Sequence, residues 1–178
     1  MSKNPSISCA VLTVSDRGAA GETEDRSGPL LVRMLEEQLT GAQVVNTAIV
    51  ADEIEGIQAF IRRWADEQQV ALILTTGGTG FAPRDQTPEA VRPLLEREAP
   101  GLVVAMLSTS LKITPYAMLS RPVAGIRGQT LIVTLPGSPK GATENLQTIL
   151  PALPHGLGLL SQVKEESKVV AHQKANIS

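Results

Sequence analysis

Residues 71–80 read ALILTTGGTG: a short aliphatic and β-branched run that ends in a glycine-rich turn. The run does not alternate apolar with polar, so it predicts a strand covered on both faces, as in a parallel sheet packed between helices. Upstream, residues 7–14 (ISCAVLTV) have the same character and lead into a polar, glycine-bearing loop, DRGAAGETEDRSG. Residues 43–50 form a further strand candidate. Pro122 to Ile126 and Thr130 to Leu135 flank a turn at Arg127-Gly128, and make either a hairpin or one strand with a lead-in.

Amphipathic helices fall between these runs. Ser27-Gly28-Pro29 opens one whose apolar face is Leu30, Leu31, Met34, Leu35 and Leu39, with Gly41 as its stop. Asp52 with Glu55 three residues on forms a capping-box pattern before Ile54, Ile57, Phe60, Ile61 and Trp64. Thr87-Pro88 starts another helix, which Pro93 shortens or kinks. Pro100-Gly101 separate it from a helix over roughly 102–111. Further helices are expected after PGSPKG (136–141) and near Leu160. Strands alternating with helices predict an α/β fold: a mostly parallel sheet flanked by helices in three layers.

The chain has 178 residues, enough for one core, and a single domain is expected over 5–162 with a polar C-terminal tail at 163–178. A hydrophobic content of 42% rules out global disorder. The aromatics are only Phe60, Trp64, Phe81 and Tyr116, and the formal net charge is −2, so neither a base-stacking platform nor a basic nucleic-acid surface is indicated. Cys9 stands alone, which excludes an intrachain disulfide and a cysteine-based zinc cluster. The longest uncharged run, 145–163, is broken by Pro151, Pro154, Gly156 and Gly158 and does not read as a membrane span. A cytoplasmic protein is the expectation.

Ligands of open α/β sheets bind outside the carboxyl ends of the strands. Four such ends carry unusual residues here: Ser15-Asp16-Arg17, Asp52, Gly77-Gly78-Thr79-Gly80 and Pro136-Gly137-Ser138-Pro139-Lys140-Gly141. GGTG is either an anion nest or a tight strand-to-helix turn; it is not a P-loop, because no lysine follows at the required place. PGSPKG is either a plain helix cap at Ser138 or an anion site aided by Lys140. Asp52 and Asp85, beside two such loops, would suit Mg²⁺, although a helix cap and a turn residue are their simpler readings. Arg17, Arg84, Lys112, Arg121 and Lys140 read as surface charge unless they join the strand-end rim. His155 reads as a helix-end residue, and no G-x-S-x-G elbow accompanies it.

The string as a whole resembles a known family. LTVSDRGAAGETEDRSG (12–28), TTGGTGFAPRDQTPEAV (75–91), REAPGL (97–102), ITPYAMLSRPVAGIRGQTLIVTLPGSPKG (113–141) and ILPALPHGLGLL (149–160) occur in order. They resemble the Mog/MoaB family of molybdenum-cofactor biosynthesis, above all its molybdopterin adenylyltransferases and the related plant and animal G domains. The resemblance implies a homotrimer that transfers AMP from ATP to the terminal phosphate of molybdopterin, with Mg²⁺ and release of pyrophosphate. It places the family's two functional aspartates on Asp52 and Asp85, as catalytic residues and metal ligands. It puts Ser15, Asp16, Gly77, Gly78, Thr79 and Gly80 on the nucleotide and phosphate side. Ser110, Thr114, Ser120, Arg121, Pro136, Gly137, Ser138 and Lys140 fall on the molybdopterin side. Gln86 departs from the small branched residue expected there. A molybdenum-insertion enzyme downstream is an implied partner. The alternatives are a MoaB-type paralogue and a trimeric scaffold that binds pterin or nucleotide without turnover.

Overall fold

The computed structural model describes residues 6–161, so the expected tail at 163–178 lies outside the described residues. Six strands form one sheet in the order β2-β1-β3-β6-β5-β4. These are β1 (Ile7–Val14), β2 (Ala42–Val50), β3 (Leu72–Thr76), β4 (Arg97–Glu98), β5 (Ala124–Arg127) and β6 (Thr130–Leu135). β2, β1, β3 and β6 are mutually parallel, whereas β5 runs antiparallel to both β6 and β4. The two late segments are thus a hairpin, turned at Gly128 with φ +56°. The two-residue strand β4 has too little apolar pattern to be seen in the sequence.

The helices are α1 (Asp16–Ala19), α2 (Ser27–Gln38), α3 (Ile54–Arg62), α4 (Thr87–Val91), α5 (Pro100–Leu111) and α6 (Pro139–Ile149), followed by a helical segment at 153–161. Successive side chains of a strand point to opposite faces, and this divides the core in two. Cys9, Val11, Leu72, Leu74 and Val133 pack with α2, α5, α6 and the last helical segment. Ala10, Leu12, Val14, Ile73 and Ile132 pack with α3 and α4. The three-layer α/β arrangement is the one expected.

Several local expectations change. The loop after β1 contains the short helix α1. Pro93 does end α4 early, and a 3-10 turn, Arg92–Leu94, follows. Pro100 does not break a helix but begins α5, where its missing N–H costs nothing. The capping box at Asp52 does not form: α3 starts at Ile54 from Glu53, with no side-chain cap. The Asp52 carboxylate is instead turned toward the end of β1.

Candidate active site

The parallel strands β1, β2, β3 and β6 deliver their carboxyl ends to one rim. Gly77 follows β3 with φ +106°, and a Cβ there would lie 2.1 Å from the Val14 carbonyl oxygen. Gly137, after β6, approaches so closely that its own Cβ would meet the Gly77 Cα at 3.1 Å. Glycine at 77 is therefore a steric requirement of bringing three strand ends together. The next residue, Gly78, is left-handed at φ +63°. Thr87 secures this turn: its hydroxyl donates to the Gly77 carbonyl at 2.9 Å, and its N–H donates to the Gly78 carbonyl at 3.0 Å.

Asp52 is almost fully buried, at 9% exposure. It exchanges backbone hydrogen bonds with Asp16. The Asp16 N–H donates to Asp52 Oδ2 at 2.9 Å, and the Asp52 N–H donates to Asp16 Oδ1 at 3.0 Å. Arg84 then closes on Asp16, donating from Nε to Oδ2 at 2.9 Å and from its terminal nitrogen to Oδ1 at 2.7 Å. Asp52 Oδ1 has no hydrogen-bond partner among the described residues and faces Gly78, where a Cβ would come within 2.8 Å of it. Burial pushes the Asp52 carboxyl above the usual range, and the negative Asp16 and Asp85 add to this. The Arg84 hydrogen bonds, helped by the Asp52 N–H, hold Asp16 below it.

Asp85 accepts from the Ala82 N–H through Oδ2 at 2.8 Å, which folds the 82–85 turn. Arg121 locks the same loop. It donates to the Gly80 carbonyl at 2.9 Å, to the Asp85 carbonyl at 2.7 Å and to the Glu89 carboxylate, while its N–H reaches the Thr79 carbonyl.

A cavity of about 740 Å³ opens over this rim. Of the residues expected from sequence, Ser15, Asp52, Gly77, Gly78, Asp85 and Gly137 line it. Asp16, Thr79, Pro136 and Ser138 adjoin those residues in the chain, and Gly80 lies one residue further on, without lining the cavity. Ser15 caps α1, accepting from the Gly18 N–H, and Ser138 caps α6, accepting from the Gly141 N–H at 3.1 Å. Lys140 extends into solvent within 3.8 Å of Glu144. Ser110 accepts from Asn145 between α5 and α6, Thr114 accepts from the Tyr116 N–H, and the Ser120 hydroxyl is buried without a partner among the described residues. None of these three lines the cavity.

The other wall is built by Thr13, Arg17 and residues 23–27; Arg17 was a rim candidate from sequence, whereas Thr13 and residues 23–27 were not assigned to the site. Asp25 organises it, accepting from the Thr13 hydroxyl at 2.6 Å and from the Gly28 N–H at 2.9 Å. An aspartate three residues before a glycine at a helix start was the available signal. Arg84 was named only as surface charge or a rim candidate, because nothing in the local sequence shows its link to Asp16, 68 positions away.

Comparisons with known proteins identify the family and the fold. Residues 10–155 match the family described as "Probable molybdopterin binding domain". The chain is 51% identical over 171 residues to a gephyrin of Dictyostelium discoideum, covering 92% of this chain but only 24% of that protein. It is 43% identical to a molybdopterin adenylyltransferase of Helicobacter pylori (strain J99), covering 86% of this chain and 88% of the relative. A crystal structure of the molybdopterin biosynthesis enzyme MoaB from Thermus thermophilus superimposes with a TM-score of 0.82 at 49% identity, covering 88% of this chain and 97% of that one. With the sheet order, the glycine rim and these similarities together, the chain belongs to the Mog/MoaB family of molybdopterin-binding proteins.

Proposed function

We propose that the protein is a molybdopterin adenylyltransferase, transferring AMP from ATP to the terminal phosphate of molybdopterin and releasing pyrophosphate. The observation that carries this reading is the pair Asp52 and Asp85, lining one cavity with the Gly77-Gly78 turn. The nucleophile is then a phosphate oxygen of the substrate, so no activated serine, cysteine or histidine is required. His155 is accordingly an exposed residue of the last helical segment, and Cys9 is buried with its thiol pushed up to about 12.

The residues present fit Mg²⁺. No group of three or more acidic, histidine or cysteine side chains suited to a metal occurs among the described residues. Mg²⁺ does not need one, because it takes one or two carboxylates and fills its shell from phosphates and water. Asp52, through its unpartnered Oδ1, and Asp85 would hold it. When bound, the ion supplies Lewis-acid neutralisation of charge on the α-phosphate. The chain supplies position. Gly77 to Gly80 are assigned to a phosphate of the nucleotide or of the pterin, with Ser15 and Asp16 on the nucleotide side of the site. Gly137, Ser138 and Lys140 at the start of α6 are assigned to the pterin phosphate, with Ser110, Thr114, Ser120 and Pro136 on the same side. Arg121 supports this reading indirectly, by holding the loop that carries Asp85.

A homotrimer in the cytoplasm completes the reading. The exposed apolar residues Val104, Ile113, Tyr116, Met118 and Leu119, in α5 and the segment after it, support self-association. No helix among the described residues is long and apolar enough to cross a membrane. The test is incubation with molybdopterin, ATP and Mg²⁺, with detection of pyrophosphate and adenylylated molybdopterin. The second reading is a MoaB-type paralogue, for which the likeness to a MoaB structure stands, or a scaffold that binds pterin or nucleotide without turnover. Binding of molybdopterin with no product formed would replace the first reading with the second.

A further inference from the structure

We infer that Arg84 is a positioning residue that acts through Asp16, occupying that carboxylate so that it clamps the Asp52 backbone and leaves Oδ1 of Asp52 free at the cavity. The inference rests on the adenylyl-transfer reading for its rate measurement only. Three aspartates, Asp16, Asp52 and Asp85, come from three different strand ends and are close enough for Asp16 and Asp85 both to act on Asp52. Left alone, they would repel one another, and any of them could compete for a cation.

The hydrogen bonds distinguish them. Both Asp16 oxygens accept from Arg84, and Oδ1 also accepts from the Asp52 N–H. Oδ2 of Asp52 accepts from the Asp16 N–H. Asp16 is therefore fully engaged, and Asp52 Oδ1 is the one oxygen of the two carboxylates with no partner among the described residues. Arg84 reaches this pair from the loop that carries Asp85, so one guanidinium joins the loops after β1 and β3 and, through Asp16, the end of β2. A bidentate fork is suited to this task, since it fixes the carboxylate plane and neutralises it at once.

The test is a double-mutant cycle of Arg84→Gln and Asp16→Asn with two readouts. One is the single-turnover rate of adenylyl transfer, and the other is hydrogen exchange of the Asp16 and Asp52 amides in the ligand-free protein. Arg84→Gln should slow turnover roughly tenfold, the scale on which coupled neighbours interact, and should accelerate exchange at both amides. Asp16→Asn keeps an oxygen for the Asp52 N–H but removes the charge that Arg84 neutralises. Adding Arg84→Gln to that variant should then cost less than about twofold more. Losses that multiply would show Arg84 acting directly on substrate and overturn the inference, as would unchanged rate and exchange in Arg84→Gln. If the wild-type protein transfers no adenylyl group, the adenylyl-transfer reading fails and amide exchange decides: faster exchange in Arg84→Gln supports the clamp, and unchanged exchange refutes it.

Discussion

Gly78→Ala tests how tightly the rim is packed around Asp52. Gly78 is left-handed at φ +63°, and an alanine there pays about 1–2 kcal/mol for that conformation. Its Cβ would also lie 2.4 Å from the Thr87 hydroxyl and 2.8 Å from Asp52 Oδ1. Thr87 is fully buried and its hydroxyl is bonded to the Gly77 carbonyl, so displacing it leaves buried polar atoms without partners. That adds about 1–3 kcal/mol. A total loss of about 2–5 kcal/mol is expected. Gly128→Ala isolates the first part, because Gly128 is also left-handed, at φ +56°, with nothing within 4 Å of the added carbon. It should lose about 1–2 kcal/mol. Urea unfolding of both variants, with m-values compared, measures the difference. The reasoning fails if Gly78→Ala loses no more stability than Gly128→Ala.

Asp85→Asn keeps an oxygen for the Ala82 N–H, so its stability should shift by no more than about 0.5 kcal/mol. Single-turnover adenylyl transfer should nevertheless fall roughly 10²–10³-fold, and full activity would remove Asp85 from the mechanism. Arg121→Ala should lower stability by about 1–3 kcal/mol in chemical denaturation, because the Gly80 and Asp85 carbonyls lose a charged donor; an unchanged midpoint contradicts the clamp role. Lys140→Ala should weaken apparent molybdopterin affinity while stability moves by under about 0.5 kcal/mol, and unaltered affinity would reduce PGSPKG to a helix cap. Asp66 is held below the usual carboxylate range by its hydrogen bonds from Arg127. Its contribution is therefore present above the unfolded value and lost as pH falls through the folded one. The stability deficit of Asp66→Asn, measured at pH 7, should shrink below about pH 4, and a constant deficit would refute the pairing.

The alternation of buried strands with amphipathic helices was legible in the sequence because burial on both sheet faces demands unbroken apolar runs, and β1, α2, β3 and α6 fall where that pattern places them. Local chemistry was legible for the same reason: Ser138 caps α6 through contacts within three residues, and Gly77 to Gly80 turn the chain at the end of β3. The candidate carboxylates were also named, but their surroundings were not. Asp52 has the spacing of a helix cap, and only folding shows that its carboxylate turns to the Asp16 backbone instead. Arg84 and Arg121 were named as rim candidates, Arg121 also as a molybdopterin-side residue by resemblance, but their partners appear only once the sheet brings Asp16 and Gly80 to them. β4 and the part of the cavity wall at 23–27 were not assigned because two residues and a polar loop carry no periodicity. Sequence determines what depends on near neighbours and on solvent exclusion; parallel strand order determined which distant ends share one rim, because contacts 36 and 68 residues apart exist only once the sheet is assembled.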